Sequence, residues 1–122
     1  MIIATTAFIS STASAEKLNF IAADKAPETM LCIKAGSNDV SGMKNIIRRE
    51  FKRNTRIAAN QHRCNGVSLA KFAYAHNAKD TLNYINHYSY STNKVRGTVE
   101  IKDSIAMNNT GKIRTVYVSS SR

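Results

Sequence analysis

Acidic residues are scarce in this chain of 122 residues: 8 Asp and Glu stand against 18 Lys and Arg, a formal charge of +10. Spread this thinly, they form no carboxylate pair at a spacing suited to acid–base chemistry, and the chain has neither a Gly-x-Ser-x-Gly elbow nor a glycine-rich phosphate loop. Catalysis therefore finds no support in the motifs. Metal-ligand spacing is missing too. The histidines His62, His76 and His87 include no His-x-x-x-His pair, and the two cysteines are too far apart for Cys-x-x-Cys. Neither a structural zinc site nor any other cofactor is expected. No apolar run approaches the roughly 20 residues that a transmembrane helix needs. What remains is an apolar content of 43%, enough to build a core and too much for a compositionally disordered chain.

Met1 to Ala15, MIIATTAFISSTASA, joins a short apolar run to small residues ending in Ala13-Ser14-Ala15, the small-x-small pattern that signal peptidase accepts. The first charged residue, Glu16, follows at once. No cation precedes Ile2, so either the true start lies upstream or the signal is atypical. The alternative is a buried N-terminal element of a cytosolic protein. On the signal reading, residues 1–15 are removed and residues 16–122 form one periplasmic or secreted domain, since that length suits one core better than two.

Export bears on Cys32 and Cys64. An even pair in a small domain of an oxidising compartment is expected to form a disulfide, which serves these residues better than a nucleophilic role. Closing a loop of roughly 30 residues restricts the unfolded chain by about 4 kcal/mol in the loop-closure model. In a reducing cytosol the same residues would be buried thiols.

Along the chain, Asp24, Pro27 and Glu28 form a helix-start signature, because proline fits the first turn and acids favour the positive end of the helix dipole. A helix over about residues 26–35 follows, with Gly36 suited to a left-handed stop. A second helix, about 42–60, carries Met43, Ile46, Ile47, Phe51, Ile57 and Ala58 at intervals of three and four, with a polar gap near Asn54. Asn65-Gly66 marks a turn, Ser68 opens a third helix bearing Leu69, Phe72, Ala73 and His76, and Asp80 is a cap for a fourth with Leu82 and Ile85 inward. Beyond the Ser- and Asn-rich connector after Tyr88, residues 98–102 and 113–118 alternate apolar with polar side chains and predict two strands. The simplest pairing is an antiparallel hairpin over about 98–118. Such a hairpin is marginal alone, so it must pack on the helices (about 26–88) or complete its sheet with the N-terminal segment. The fold class is mainly α: a bundle of about four helices, one disulfide and a C-terminal β-hairpin.

Leu31-Cys32-Ile33-Lys34-Ala35 on the first helix, the basic amphipathic helix after it and Cys64-Asn65-Gly66 before the third carry a resemblance. Over about Pro27 to Ile85 the chain resembles a bacterial family of small exported proteins of unknown function with a helix cysteine and a Cys-Asn-Gly turn. The resemblance implies an exported, disulfide-stapled helical domain and no activity.

Lys44, Arg48, Arg49, Lys52, Arg53 and Arg56 crowd the second helix with Glu50 alone to offset them. At 100° per residue Lys44, Arg48 and Lys52 fall in one row and Arg49, Arg53 and Arg56 in another, flanking the apolar stripe. Such a helix suits phosphates or anionic head groups, although long cationic side chains also serve as a plain solvated face. Tyr84, Tyr88 and Tyr90 cluster with His87, either as a stacking surface or as a cover for the core. The resulting expectation is a non-enzymatic exported protein that meets anionic lipid, polysaccharide or a partner protein. Its rivals are a small hydrolase assembled from scattered polar residues, and a nucleic-acid-binding module if the chain stays in the cytosol.

Overall fold

The computed structural model describes residues 18–96 and 114–122. In chain order the elements are β1 (Leu18–Ala22), α1 (Pro27–Gly36), α2 (Val40–Glu50), α3 (Thr55–Asn60), β2 (Arg63–Cys64), α4 (Leu69–Ala75), α5 (Lys79–Asn86), β3 (Arg114–Val118) and β4 (Ser120–Ser121). The chain is mainly helical, with short strands at its C-terminal end.

Helix α1 begins as its sequence dictates, with Pro27 in the first turn and Glu28 beside it. It ends differently. Gly36 stays helical, and the left-handed residue is Asn38, at φ 62°. The reason for a glycine lies in packing: a Cβ at Gly36 would stand 2.8 Å from Cε1 of Phe72 and 2.9 Å from Cε1 of Phe20, so only a bare Cα lets α1 come this close to α4 and β1.

The expected helix over 42–60 is two helices, which raises the count among the described residues from four to five. On an unbroken helix Asn54 would share the face of Ile47, Phe51 and Ala58, placing an amide in the core. The chain instead turns through Lys52 (φ 51°) and Arg53 (φ 62°), and Asn54 becomes the cap of α3, its Oδ1 accepting from the Ile57 amide at 3.1 Å. The restart also changes the phase of the stripe. Met43, Ile46 and Ile47 are buried on α2 and Ala58 and Ala59 on α3, whereas Ile57 faces outward, 38% exposed.

Ser68 caps α4, accepting from the Lys71 amide at 3.2 Å. Asp80 does not cap α5. That helix starts two residues earlier, with Ala78 at the cap position, and its amides are served by Asn38, whose Oδ1 accepts from Asp80 at 2.8 Å and Thr81 at 3.1 Å. The residue that ends α1 thus also caps α5. The core lies between α1, α2, α4 and α5, where Leu31, Met43, Leu69, Phe72, Leu82 and Ile85 are buried, and Val118 of β3 closes it.

Strand β3 completes a sheet with the N-terminal segment: β1 and β3 pair in parallel from Leu18↔Arg114 to Ala22↔Val118. A parallel pair needs a long crossover, and here the whole helical region supplies it. Residues 98–102, the other half of the expected hairpin, lie outside the described residues, as do residues 1–15. The Asn65-Gly66 turn is present, with both residues at positive φ (47° and 84°) and Cys64 and Val67 exchanging backbone hydrogen bonds of 2.7 and 3.0 Å. This is the geometry for which Asn-Gly is the preferred pair. Strand β2 enters it and pairs antiparallel with β4, Cys64 opposite Ser120.

Candidate functional site

Two places collect chemistry-bearing side chains, and the first is the cationic segment. Lys44, Arg48 and Arg49 lie on α2, Lys52 and Arg53 in the turn after it, and Arg56 on α3, and all six are exposed. The break in the helix removes the two continuous rows expected from the sequence. Lys44 and Arg48 remain one turn apart on α2, while Lys52 and Arg53 are carried off the helical path by their left-handed backbone. The Lys44 ammonium stands 5.2 Å from the ring centroid of Tyr84, a cation–π contact that holds it toward α5, and Arg48 donates to Asn45 Oδ1 at 2.6 Å. Among the described residues the one ion pair is Lys34–Asp39, at 3.4 Å, and none of the six cations takes part in it.

The second place surrounds the disulfide. Cys32 on α1 and Cys64 on β2 are joined, with Cα atoms 5.7 Å apart and both residues buried. His62 lies beside them. A ligand atom of His62 and the two sulfur atoms all fall within 4.8 Å of one another. The sequence hides this cluster, because Cys32 is far off in the chain and His62 has no metal-binding partner at helical spacing. The one local signal is the His62-x-Cys64 pair entering a strand, where alternate residues share a face.

The His62 ring is 5% exposed and stacks on Phe51 with centroids 5.8 Å apart. Its Nε2 is buried without a hydrogen-bond partner among the described residues, an arrangement that costs about 1–3 kcal/mol in general. Burial pulls the His62 pKa below its usual 6.5, against the opposing pull of the Glu28 carboxylate, so the imidazole is neutral at pH 7. The ring forms part of the wall of an open cavity of about 550 Å³ together with Glu28, Phe51, Gln61, Ser120 and Arg122.

His76 packs edge-on against Phe72 (4.5 Å) and Phe20 (5.3 Å) at the end of α4. Tyr84 and Tyr88 lie against the core with ring centroids 5.7 Å apart, and Tyr90 projects outward. Among the described residues no helix is long and apolar enough to cross a membrane.

A family model described as a protein of unknown function, DUF3718, matches residues 31–106. No curated protein and no solved structure matches the chain.

Proposed function

The chain belongs to the DUF3718 family of proteins of unknown function, and from its own surface we propose that it is a non-enzymatic exported domain that associates with surfaces rich in anionic oxygen. Lipid headgroups and acidic polysaccharide both present that chemistry. The observation that carries the reading is the exposure of Lys44, Arg48, Arg49, Lys52, Arg53 and Arg56 between α2 and α3, with Glu50 the only acid among them. Such a segment attracts polyanions at long range and gains from the counterions they release. A signal-like N-terminus and the Cys32–Cys64 bond support export to a periplasmic or secreted location.

Retention on heparin and on anionic vesicles across a salt series tests the binding, and comparing the two matrices distinguishes polysaccharide from lipid. Replacing Arg49, Arg53 and Arg56 by Gln takes the formal charge from +10 to +7. The variant should elute at clearly lower salt than wild type on the preferred matrix, because a localised site loses half its cations while the bulk charge falls by less than a third. Elution of both proteins at the same salt on both matrices would sink the reading. Cell fractionation with intact-mass measurement tests export: the mature chain should begin at Glu16 with its two cysteines oxidised, and recovery of Met1 from the cytosol would contradict it.

A further inference from the structure

We propose that reduction of the Cys32–Cys64 bond turns this corner of the fold into a Zn²⁺ site in which Cys32, Cys64 and His62 are the ligands. The inference is independent of the cationic segment. It starts from a juxtaposition: two sulfur atoms and one imidazole nitrogen, contributed by α1, β2 and the residue before β2, lie within 4.8 Å of one another. Around a tetrahedral zinc, ligand atoms about 2.0–2.3 Å from the ion stand roughly 3.3–3.8 Å apart. The fold therefore already holds the imidazole to within about an ångström of the spacing from the sulfurs that a zinc ion requires, while the two sulfurs, joined in the disulfide, must move apart by more than an ångström on reduction.

A second observation points the same way. His62 is 5% exposed, yet its Nε2 has no hydrogen-bond partner among the described residues. A disulfide sulfur offers an imidazole little, being a weak acceptor and no donor. Two thiolates change that, because they attract a soft cation whose remaining coordination positions an imidazole suits. The buried, unpartnered ring then gains a role that it lacks in the oxidised protein. Access is provided by the cavity, whose wall includes His62 and the Glu28 carboxylate while Cys32 and Cys64 themselves are fully buried. Three protein ligands leave a fourth position for a solvent molecule.

The chemistry balances. A dithiol donor transfers two electrons and two protons to the Cys32–Cys64 bond and itself becomes a disulfide. Zn²⁺ then displaces the two thiol protons as the S–Zn bonds form. The oxidised protein has no thiolate to offer, so binding is gated by the thiol state.

The test uses the full chain and Co²⁺, which takes the geometry of zinc and reports thiolate ligation by charge-transfer absorption. The protein is reduced anaerobically with a phosphine, which consumes one water and leaves as its oxide. Reduced wild type should bind one equivalent with thiolate charge-transfer and tetrahedral visible bands, and added Zn²⁺ should displace the cobalt. Oxidised protein should show neither band. Outer-shell partners of metal ligands are worth about 10–100-fold in affinity, so loss of a ligand in His62→Ala should weaken binding at least about tenfold. His87, which is exposed, serves as the control, and His87→Ala should bind as wild type. Absence of the bands in reduced wild type overturns the proposal. So does equal affinity in the His62 and His87 variants, the result expected if an unfolded reduced chain merely scavenged the metal.

Discussion

At the scale of single residues, asparagine side chains take the place of peptide groups at several junctions of the fold. Asn65 donates to the Tyr117 carbonyl at 2.9 Å and accepts from the Ser119 amide at 2.8 Å, so it binds the end of β3 as a strand would. Asn86 does the same for Val95, donating to its carbonyl at 3.0 Å and accepting from its amide at 2.8 Å. Asn60 reaches the Tyr88 carbonyl at 2.9 Å and the Tyr90 amide at 2.8 Å. Asn38 carries the clearest consequence. It occupies a left-handed backbone that an asparagine tolerates, and its side chain caps α5 from the end of α1. Asn38→Ala should cost about 2–3 kcal/mol, the lost cap and the left-handed strain together. Asn38→Gly relieves the strain and loses only the cap, so about 1 kcal/mol is expected. Urea unfolding curves distinguish the two, and equal midpoints for wild type and both variants would show that the cap contributes nothing. None of these partnerships is local in sequence, which is why Asp80, the nearest acid, reads as the cap of α5 until the fold brings Asn38 to the same amides.

At the scale of elements, the divide between α2 and α3 depends on Asn54. Its side chain replaces one of the hydrogen bonds that a continuing helix would have given the first amides of α3, accepting from Ile57. Asn54→Ala should lower stability by about 1 kcal/mol, measured as a fall in the denaturation midpoint. An unchanged midpoint would mean that packing of Ala58 and Ala59 alone fixes α3. What the sequence made legible here follows from period and cap. The start of α1, the inward faces of α4 and α5, the Ser68 cap and the Asn-Gly turn are all local signals, and each is present, whereas the left-handed stop of α1 falls at Asn38 and not at Gly36. The polar gap at Asn54 was visible as well, but hydrophobic spacing alone does not say whether a gap is tolerated within a helix or ends it. Strand pairing was less accessible still. Alternation identified β3, whereas its parallel partner β1 is a five-residue segment separated from it by the whole helical region, and no local pattern encodes that distance. The same applies to the site: the six cations lie close together in the sequence and could be read directly, while His62 acquires its neighbours only through folding.

At the scale of the whole molecule, His76 marks the place where the sheet meets the helices. It lies at the end of α4, half-buried between Phe72 and Phe20 of β1, and Arg114 at the start of β3 is the charged group that acts on it. Burial lowers its pKa from 6.5, and the Arg114 guanidinium lowers it further. The folded protein therefore takes up this proton at lower pH than the unfolded chain does. The contribution is fully present above 6.5, where neither state is protonated. As the pH falls below that value the unfolded state binds the proton first, so stability declines until the folded pKa has also been passed. Urea unfolding between about pH 7.5 and 5.5 should show a midpoint that drops on acidification, and His76→Asn should flatten the slope. Some slope should remain, since His62 is shifted in the same direction. Proton NMR follows the group itself: the His76 ring should titrate below 6.5 in wild type, and Arg114→Gln should move it part of the way back up. An Arg114→Gln ring that titrates where the wild-type ring does would show that β3 exerts no field on His76. A wild-type value at or above 6.5 would remove the basis of the acid instability altogether.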